Sequence, residues 1–332
     1  MVTGASATGR GGGRLVVPAL SALMITLLAA GWLVAGHLVT GAPVLAVAAG
    51  RTAASFVVIT AVAALFPRTW PGIRAGAARH RSVLLLAFLG FFAYYSGTLL
   101  GTSRIGASRV GLIVSLLPCI TFVIGIAAFR EPSTRRKILG TVLAVAAACG
   151  YALADGAASD GGGSGSSGTL LSGVLLALGG TFTYALYGYV YRQRMADLPP
   201  LASLPAITGA GTVMLGLATV VFVPLGDISP ADWGGIAILG AVLTAPVFLI
   251  SHELILRKGP LFTSALALVV PFLVRLGEWA LGWAEAPGPL VLVLIFLCAA
   301  GVWLTVGRPR PARPERVAPE RDAVHTTQGT PR

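Results

Sequence analysis

Apolar residues in this chain occur in blocks, separated by short segments that carry most of the charges. The blocks are roughly 20 residues long, which is the length a helix needs to cross about 30 Å of hydrocarbon. Hydrophobic residues make up 55% of the chain and charged residues only 11%, too few charges for a soluble domain. Lipid-exposed backbone must satisfy its own hydrogen bonds, and the short alternating segments of a membrane β-barrel do not occur. The sequence therefore predicts an all-α integral membrane protein.

The blocks predict ten transmembrane helices. They lie at 16–36, 43–65, 82–102, 106–129, 136–154, 168–191, 202–224, 233–254, 260–282 and 288–306. If the N-terminus is cytoplasmic, 20 of the 24 basic residues fall in inside segments, and the outside loops hold only Arg104 and Arg109. Basic residues favour the cytoplasmic side. We therefore expect a multi-pass protein of the cytoplasmic (inner) membrane with both termini in the cytoplasm.

A Gly/Ser-rich segment divides the predicted helices into two groups of five. We expect a cytoplasmic N-terminus at 1–15, a five-helix repeat at 16–155, a flexible linker at 156–168, a second five-helix repeat at 169–306 and a disordered basic cytoplasmic tail at 307–332. The halves are related: SRIGASRVGLIVSLLP ends at Pro118, LRKGPLFTSALALVVP ends at Pro271, and their matching residues share an offset of 153. Five spans is an odd number, so the second copy is expected to be inverted, as in secondary transporters. Coincidence among similar apolar helices is the alternative.

The stretch SRVGLIVSLLPCITFVIGIAAFREPSTRRKILGTVLAVAAACGYAL carries a family resemblance. Its apolar helix with Pro118, its Glu131 13 residues later, and its following helix with Gly140 and Gly150 resemble the drug/metabolite transporter superfamily, EamA/RhaT type. The second half is similar, although its glutamate is shifted by one position and its glycine by two. Arg51 also resembles a basic residue of that family. The resemblance implies ten helices in two inverted repeats and small-molecule transport, often export of amino acids or other metabolites.

Charged residues inside the predicted spans are candidates for function, because a charge in the bilayer is costly. Arg51, Arg275 and Glu278 are expected at similar depth. Two positive charges and one negative charge in one layer suit an anionic group such as a carboxylate, for which arginine offers a bidentate fork. Glu278 is also a candidate for proton coupling. The alternative is that Arg275 and Glu278, spaced i,i+3, form a neutralised structural pair.

Aromatic residues and prolines complete the candidate site. Tyr94 and Tyr95 are adjacent and are expected to point to different faces, so at most one should face a cavity; Tyr184 is the third candidate. Tyr191 is interpreted as an interface anchor. Pro118 and Pro271 should kink their helices and could act as flex points. For Glu131, a local ion pair with its neighbouring arginines is favoured over substrate contact, and His252 and Glu253 are placed near the inner interface, with a proton relay as the alternative.

The functional prediction is a secondary transporter, most simply an exporter, that moves a small metabolite by alternating access. The cargo is an amino acid or another carboxylate, with the lipid bilayer as surroundings and proton coupling as an option. No P-loop pattern is present, and the Cys and His spacings indicate no metal site. No cofactor, enzymatic activity or nucleic-acid partner is predicted, and no oligomeric state is assigned. The alternatives are a non-transporting sensor or scaffold and, less favoured, a membrane-embedded enzyme.

Overall fold

The computed structural model describes residues 12–38, 42–105, 107–159, 167–223, 228–283 and 285–306. Within these ranges the secondary structure is helical and contains no strand, which confirms the all-α membrane class. The helices of the first half are α1 Gly12–Leu38, α2 Val44–Leu65, α3 Trp70–Ala78, α4 His80–Ala87, α5 Tyr94–Ile105, α6 Ala107–Val114, α7 Leu117–Ala127 and α8 Arg135–Ser159. A 3₁₀ turn, Pro67–Thr69, precedes α3, and a π-helical segment, Phe88–Ala93, joins α4 to α5.

The second half has a similar order of helices. They are α9 Ser167–Arg194, α10 Pro200–Phe222, α11 Pro230–Ile238, α12 Ala245–Lys258, α13 Pro260–Ala267, α14 Val270–Ala280 and α15 Pro289–Val306, with a π-helical segment, Leu239–Thr244, between α11 and α12. The flanking helices extend into the predicted linker at 156–168: α8 continues to Ser159 and α9 begins at Ser167. The central part of the linker, the start of the N-terminus and the predicted tail at 307–332 lie outside the described residues.

Seven helices among the described residues are long and apolar enough to cross a membrane. They are Val16–Ala35, Val44–Leu65, His80–Thr102, Gly168–Arg194, Pro200–Phe222, Pro230–Lys258 and Pro260–Ala280. Leu117–Ala127 and Pro289–Thr305 are apolar but shorter. The protein is therefore a multi-pass membrane protein, whereas the count of ten spans stays a prediction.

The two predicted prolines mark interruptions at corresponding places in the halves. The helix stops at Val114 and resumes at Leu117 just before Pro118, and it stops at Ala267 and resumes at Val270 just before Pro271. Proline lacks a backbone N–H and clashes with the preceding turn, so it is accommodated in the first turn of a new helix. The bounds of α6 and α7 recur in α13 and α14 at the offset of 153 found in the sequence.

The halves pack across each other rather than side by side. The first helix of each half, α1 or α9, contacts the third and fourth predicted spans of the other half. α2 packs on α10, and α8 packs on α15. The second of these contacts is tight: a Cβ added at Gly301 would lie 2.5 Å from the backbone nitrogen of Ala144, so a glycine is needed there. This crossing brings α2, α5, α9, α10 and α12 together in the middle of the bundle.

Candidate functional site

Arg51 of α2 is a charged side chain within a candidate membrane span, and no carboxylate of the described part of the chain neutralises it. Its terminal nitrogen donates a hydrogen bond to the hydroxyl of Tyr95, and its guanidinium carbon lies 4.9 Å from the centre of the Tyr95 ring. Its Nε is buried without a hydrogen-bond partner. Among the described residues no carboxylate lies within ion-pair distance of it. A half-buried guanidinium in this state keeps donors available for an anion.

Tyrosine rings extend from Arg51 over α5 to α9. Tyr94 lies 5.2 Å from Tyr95 and 4.6 Å from Tyr184, measured between ring centres. Tyr95 contacts Arg51 of α2, whereas Tyr94 contacts Tyr184 of α9. That at most one of the two adjacent tyrosines faces a cavity stays a prediction. We call Arg51, Tyr94, Tyr95 and Tyr184 the central cluster.

The central cluster is closed on one side by buried aromatic residues. Tyr184 is 37% exposed, but Tyr187, one turn further along α9, is 3% exposed and Tyr191 is fully buried. The Tyr184 and Tyr187 rings are nearly parallel, with centres 6.0 Å apart. The Tyr187 hydroxyl lies 2.5 Å from Nε2 of His252, and Tyr191 shares a 2.8 Å hydrogen bond with Ser203. We call Tyr187, Tyr191, Ser203 and His252 the buried plug.

Two interface predictions are corrected by the buried plug. Tyr191 was expected to anchor at the headgroups, but its ring packs 4.5 Å from His252 inside the bundle. His252 was favoured at the inner interface, but it is 4% exposed. Tyr184, Tyr187 and Tyr191 lie on one stripe of α9 because they are spaced i, i+3 and i+7. The sequence indicated His252 only as part of an alternative proton relay with Glu253, because its partner Tyr187 comes from another helix.

A glycine in the π-helical segment Phe88–Ala93 lets the plug pack closely. A Cβ added at Gly90 would lie 2.6 Å from the Tyr187 ring. The neighbouring Phe91 ring sits edge-on to Tyr187 at 6.4 Å and to Phe248 at 5.5 Å. π-helical turns are frequent at functional sites, since the extra residue redirects the following side chains. Here the next two residues are Tyr94 and Tyr95 of the central cluster.

The pair Arg275 and Glu278 lies on α14, apart from the central cluster. The two side chains are 4.0 Å apart at their nearest charged atoms, and they are 20% and 39% exposed. No ion pair or hydrogen bond among the described residues joins either of them to Arg51. The close packing in this region is between Gly277 and Leu33 of α1. The structure therefore brings Arg51 together with the tyrosines of the central cluster. Arg275 and Glu278 form a separate ion pair.

Ion pairs between the halves lie where α9 ends and α10 begins, which we call the α9–α10 end. Arg79 binds both carboxylate oxygens of Asp197, at 2.7 and 2.5 Å, and the carbonyl of Arg194 at 2.7 Å. The hydrogen bonds from Arg79 lower the pKa of the Asp197 carboxyl below its ordinary value. The loops that meet here are ones that the charge pattern assigns to the cytoplasm.

Glu131 forms the second connection between the halves at this end. Its carboxylate accepts hydrogen bonds from Arg192 at 2.8 Å and from the Tyr189 hydroxyl at 3.2 Å. The predicted local partners were its neighbours Arg130, Arg135 and Arg136, so the recorded partners are a correction. The fold brings the end of α9 to Glu131, which a local reading of the sequence could not show. A cavity of about 460 Å³ opens here, lined by Phe129, Arg130, Glu131, Pro132, Tyr189, Arg192 and Gln193.

Metal-ligating groups are scattered in the part of the chain that the structure describes. No three His, Cys, Asp or Glu side chains there lie close enough to hold a metal ion. The cysteines Cys119, Cys149 and Cys298 are free.

The fold and the central cluster define a polytopic helical membrane protein with a polar aromatic site between its halves. Residues 17–153 match the model of the EamA-like transporter family. The chain is 23% identical over 240 residues to an uncharacterized transporter, YyaM, of Bacillus subtilis (strain 168), covering 70% of this chain and 77% of that protein. These matches confirm the predicted resemblance to the EamA type within the drug/metabolite transporter superfamily, and they support a membrane transporter.

A comparison with solved structures supports the same architecture. A crystal structure that is 18% identical in sequence aligns with a TM-score of 0.69, covering 87% of this chain and 95% of that one. At this identity the likeness shows the fold alone. The family description and the Bacillus protein's name both say transporter and neither describes an enzyme. A small-molecule substrate and a lipid environment follow from the family.

Proposed function

We propose that this protein is a secondary transporter that exports a small carboxylate-bearing metabolite, such as an amino acid, from the cytoplasm by alternating access. The observation that carries the proposal is the uncompensated guanidinium of Arg51 in a candidate membrane span. A charged side chain inside the membrane costs free energy, so it is usually retained for a functional role or a partner. The carboxylate of the cargo would take the place of the missing counter-ion, and Tyr94, Tyr95 and Tyr184 would contact the rest of the molecule.

The proposed architecture is ten spans in two inverted five-helix repeats, at 16–155 and 169–306, in the cytoplasmic membrane with both termini inside. Support comes from the helix bounds that recur at an offset of 153, and from the π-helical segment in the third predicted span of each half. The reciprocal packing of α1 and α9 also supports it. Two inverted copies can exchange conformations, and this exchange exposes a central site alternately to each side. Pro118 and Pro271 are proposed flex points of that exchange.

For Arg275 and Glu278 the proposal favours a structural role over direct contact with the cargo. Their mutual ion pair favours the structural alternative over direct contact with the cargo, since each charge already has a partner. If the cargo also contacts this pair, Arg275 must leave Glu278 in part of the cycle. A parallel Arg275→Ala variant separates the two cases.

The test compares metabolites in cells and medium for a deletion strain, a restored strain and an overexpressing strain. An exporter enriches one compound in the medium on overexpression. That enrichment should fall about 10- to 100-fold with Arg51→Ala, because a charged hydrogen bond contributes roughly 1.5–3 kcal/mol. Arg275→Ala is the matched control, and membrane abundance is measured for each variant.

Other outcomes would redirect the proposal. A compound depleted from the medium would mean import. Normal export by Arg51→Ala would remove the proposed site. An unchanged metabolite profile under several growth conditions would favour a sensor or scaffold over a transporter.

A further inference from the structure

The buried plug contains a histidine whose two hydrogen-bond contacts suit the neutral ring. Nδ1 of His252 lies 2.5 Å from the carbonyl oxygen of Phe248, and a carbonyl can only accept. Nδ1 therefore carries a hydrogen. Nε2 lies 2.5 Å from the hydroxyl of Tyr187, which can donate to it. The neutral ring satisfies both contacts at once.

A second proton on His252 would conflict with this arrangement. Nε2 would become a donor, and the Tyr187 hydroxyl would have to accept from it and turn its own hydrogen elsewhere. The surroundings are the buried rings of Tyr191 and Phe91 and the half-buried ring of Phe248, and Tyr191 already uses its hydroxyl on Ser203. A buried polar group without a partner and a buried charge without a counter-ion are both unfavourable.

The charged and titratable groups around His252 offer no counter-ion in the described state. From α9 they are Tyr187 and Tyr191, and on α12 itself Glu253 is held by Arg257 at 2.5 Å. From α2, Arg51 is positive and lies at the far end of the tyrosine series. The described side chains of α1, α10, α13 and the segment Leu239–Thr244, which also pack against α12, carry no titratable group.

We propose that His252 is a proton-binding residue whose neutral form keeps the α9–α10 end of the bundle closed and whose protonation favours opening of that end. The Tyr187–His252 hydrogen bond lies between the exposed Tyr184 and the ion pairs of Glu131 and Arg79. Opening would admit water to His252, which removes the penalty on the imidazolium. The inference rests on the alternation of access in the proposed function, and it fits a cycle in which a proton drives one conversion and cargo drives the other.

A buried serine of the plug provides a reporter. Ser203 of α10 is fully buried behind Tyr191, so Ser203→Cys should react with a hydrophilic maleimide only when the plug opens. The background is the full chain with Cys119, Cys149 and Cys298 changed to alanine, purified in lipid nanodiscs without cargo. Each labelling rate is divided by the rate of the same protein denatured at the same pH, which removes the effect of thiol ionisation.

The expected result is a pH response that depends on His252. Between about pH 8 and pH 5 the labelling rate should rise by up to about 30-fold, the limit for one histidine of ordinary pKa that is charged only in the open state. His252→Gln keeps a hydrogen-bond acceptor for Tyr187 but cannot be charged, so its rate should stay low at both pH values. Tyr187→Phe should raise the rate at pH 8.

Controls separate this inference from the proposed function. Glu253→Gln, next to His252, should keep the full pH response, and thermal melting confirms that each variant is folded. A response that persists in His252→Gln, or its absence in the reporter background, would overturn the inference. Because no cargo is used, export of a metabolite without a pH response refutes only the role of His252. A pH response without any exported compound refutes only the proposed function.

Discussion

Arg51 and Arg275 both lie inside candidate membrane spans, yet the structure surrounds them differently. Arg275 has a carboxylate on its own helix, three residues away, at 4.0 Å. No carboxylate among the described residues pairs with Arg51, and its side chain contacts Tyr95 of another helix. A charge with a partner on its own helix is neutralised however that helix packs. A charge without such a partner can be neutralised only by another helix or by a ligand. The comparison teaches that the absence of a nearby counter-ion, rather than the presence of a charge, distinguishes the proposed binding site at Arg51.

The largest expected difference concerns the shape of the cation. Arg51→Lys keeps the positive charge but loses the planar fork, so export of the identified compound should fall about tenfold or more. Arg275→Lys can still pair with Glu278 and should stay within about twofold of the parent, because pairs of this kind contribute little. Initial export rates in intact cells measure both variants. Equal losses would place both arginines in one binding layer and would end the distinction.

Packing near the two arginines should differ as well. Gly90→Ala puts a methyl group 2.6 Å from the rigid Tyr187 ring, whereas Gly277→Ala meets the end of the flexible Leu33 side chain at 2.7 Å. Overpacking of a rigid neighbour costs about 1–3 kcal/mol, so the Gly90→Ala protein should melt several degrees lower. A flexible leucine can move aside, and Gly277→Ala should melt closer to the parent. Thermal unfolding in detergent tests this, and the reverse order would contradict the packing described for the plug.

Removal of single polar groups gives a smaller effect. Tyr95→Phe takes away the hydroxyl that accepts from Arg51 and should lower export about tenfold, since a hydrogen bond from a charged donor contributes about 1.5 kcal/mol at the low end of its range. Glu278→Gln alters only the exposed pair on α14 and should leave export nearly unchanged. Concentration dependence of the rate separates weaker binding from slower turnover. A large loss with Glu278→Gln would instead support its predicted role in proton coupling.

The smallest effect is expected at the α9–α10 end. The lowered pKa of Asp197 means that its pairing with Arg79 adds stability above the unfolded value of about 3.9, and that this stability is lost as the pH falls through the folded value. Asp197→Asn should therefore lower the melting temperature slightly at pH 7, and the difference should shrink as the pH is lowered below about 4. Both groups are solvent-exposed, so the difference should be small. A difference that grows on acidification would have the wrong sign for this pair.

Much of the architecture and part of the site followed from sequence. The apolar blocks predicted the membrane class, and the offset of 153 predicted the recurring helix bounds around Pro118 and Pro271. Arg51, Tyr94, Tyr95 and Tyr184 were named in advance. The burial of His252 and the partners of Glu131 were not, because their contacts are 65 and 61 residues away in the chain.

The sequence by itself determined the helices, because hydrophobic length, proline position and i,i+3 charge spacing act within one segment of chain. The pairing of Arg275 with Glu278 belongs to this class. Only the tertiary structure decided which polar side chains meet between helices. The crossing of the halves places Tyr95 against Arg51, and it places Tyr187 against His252. Such contacts depend on how helices pack and rotate against one another, which the periodicity of a single apolar helix does not encode.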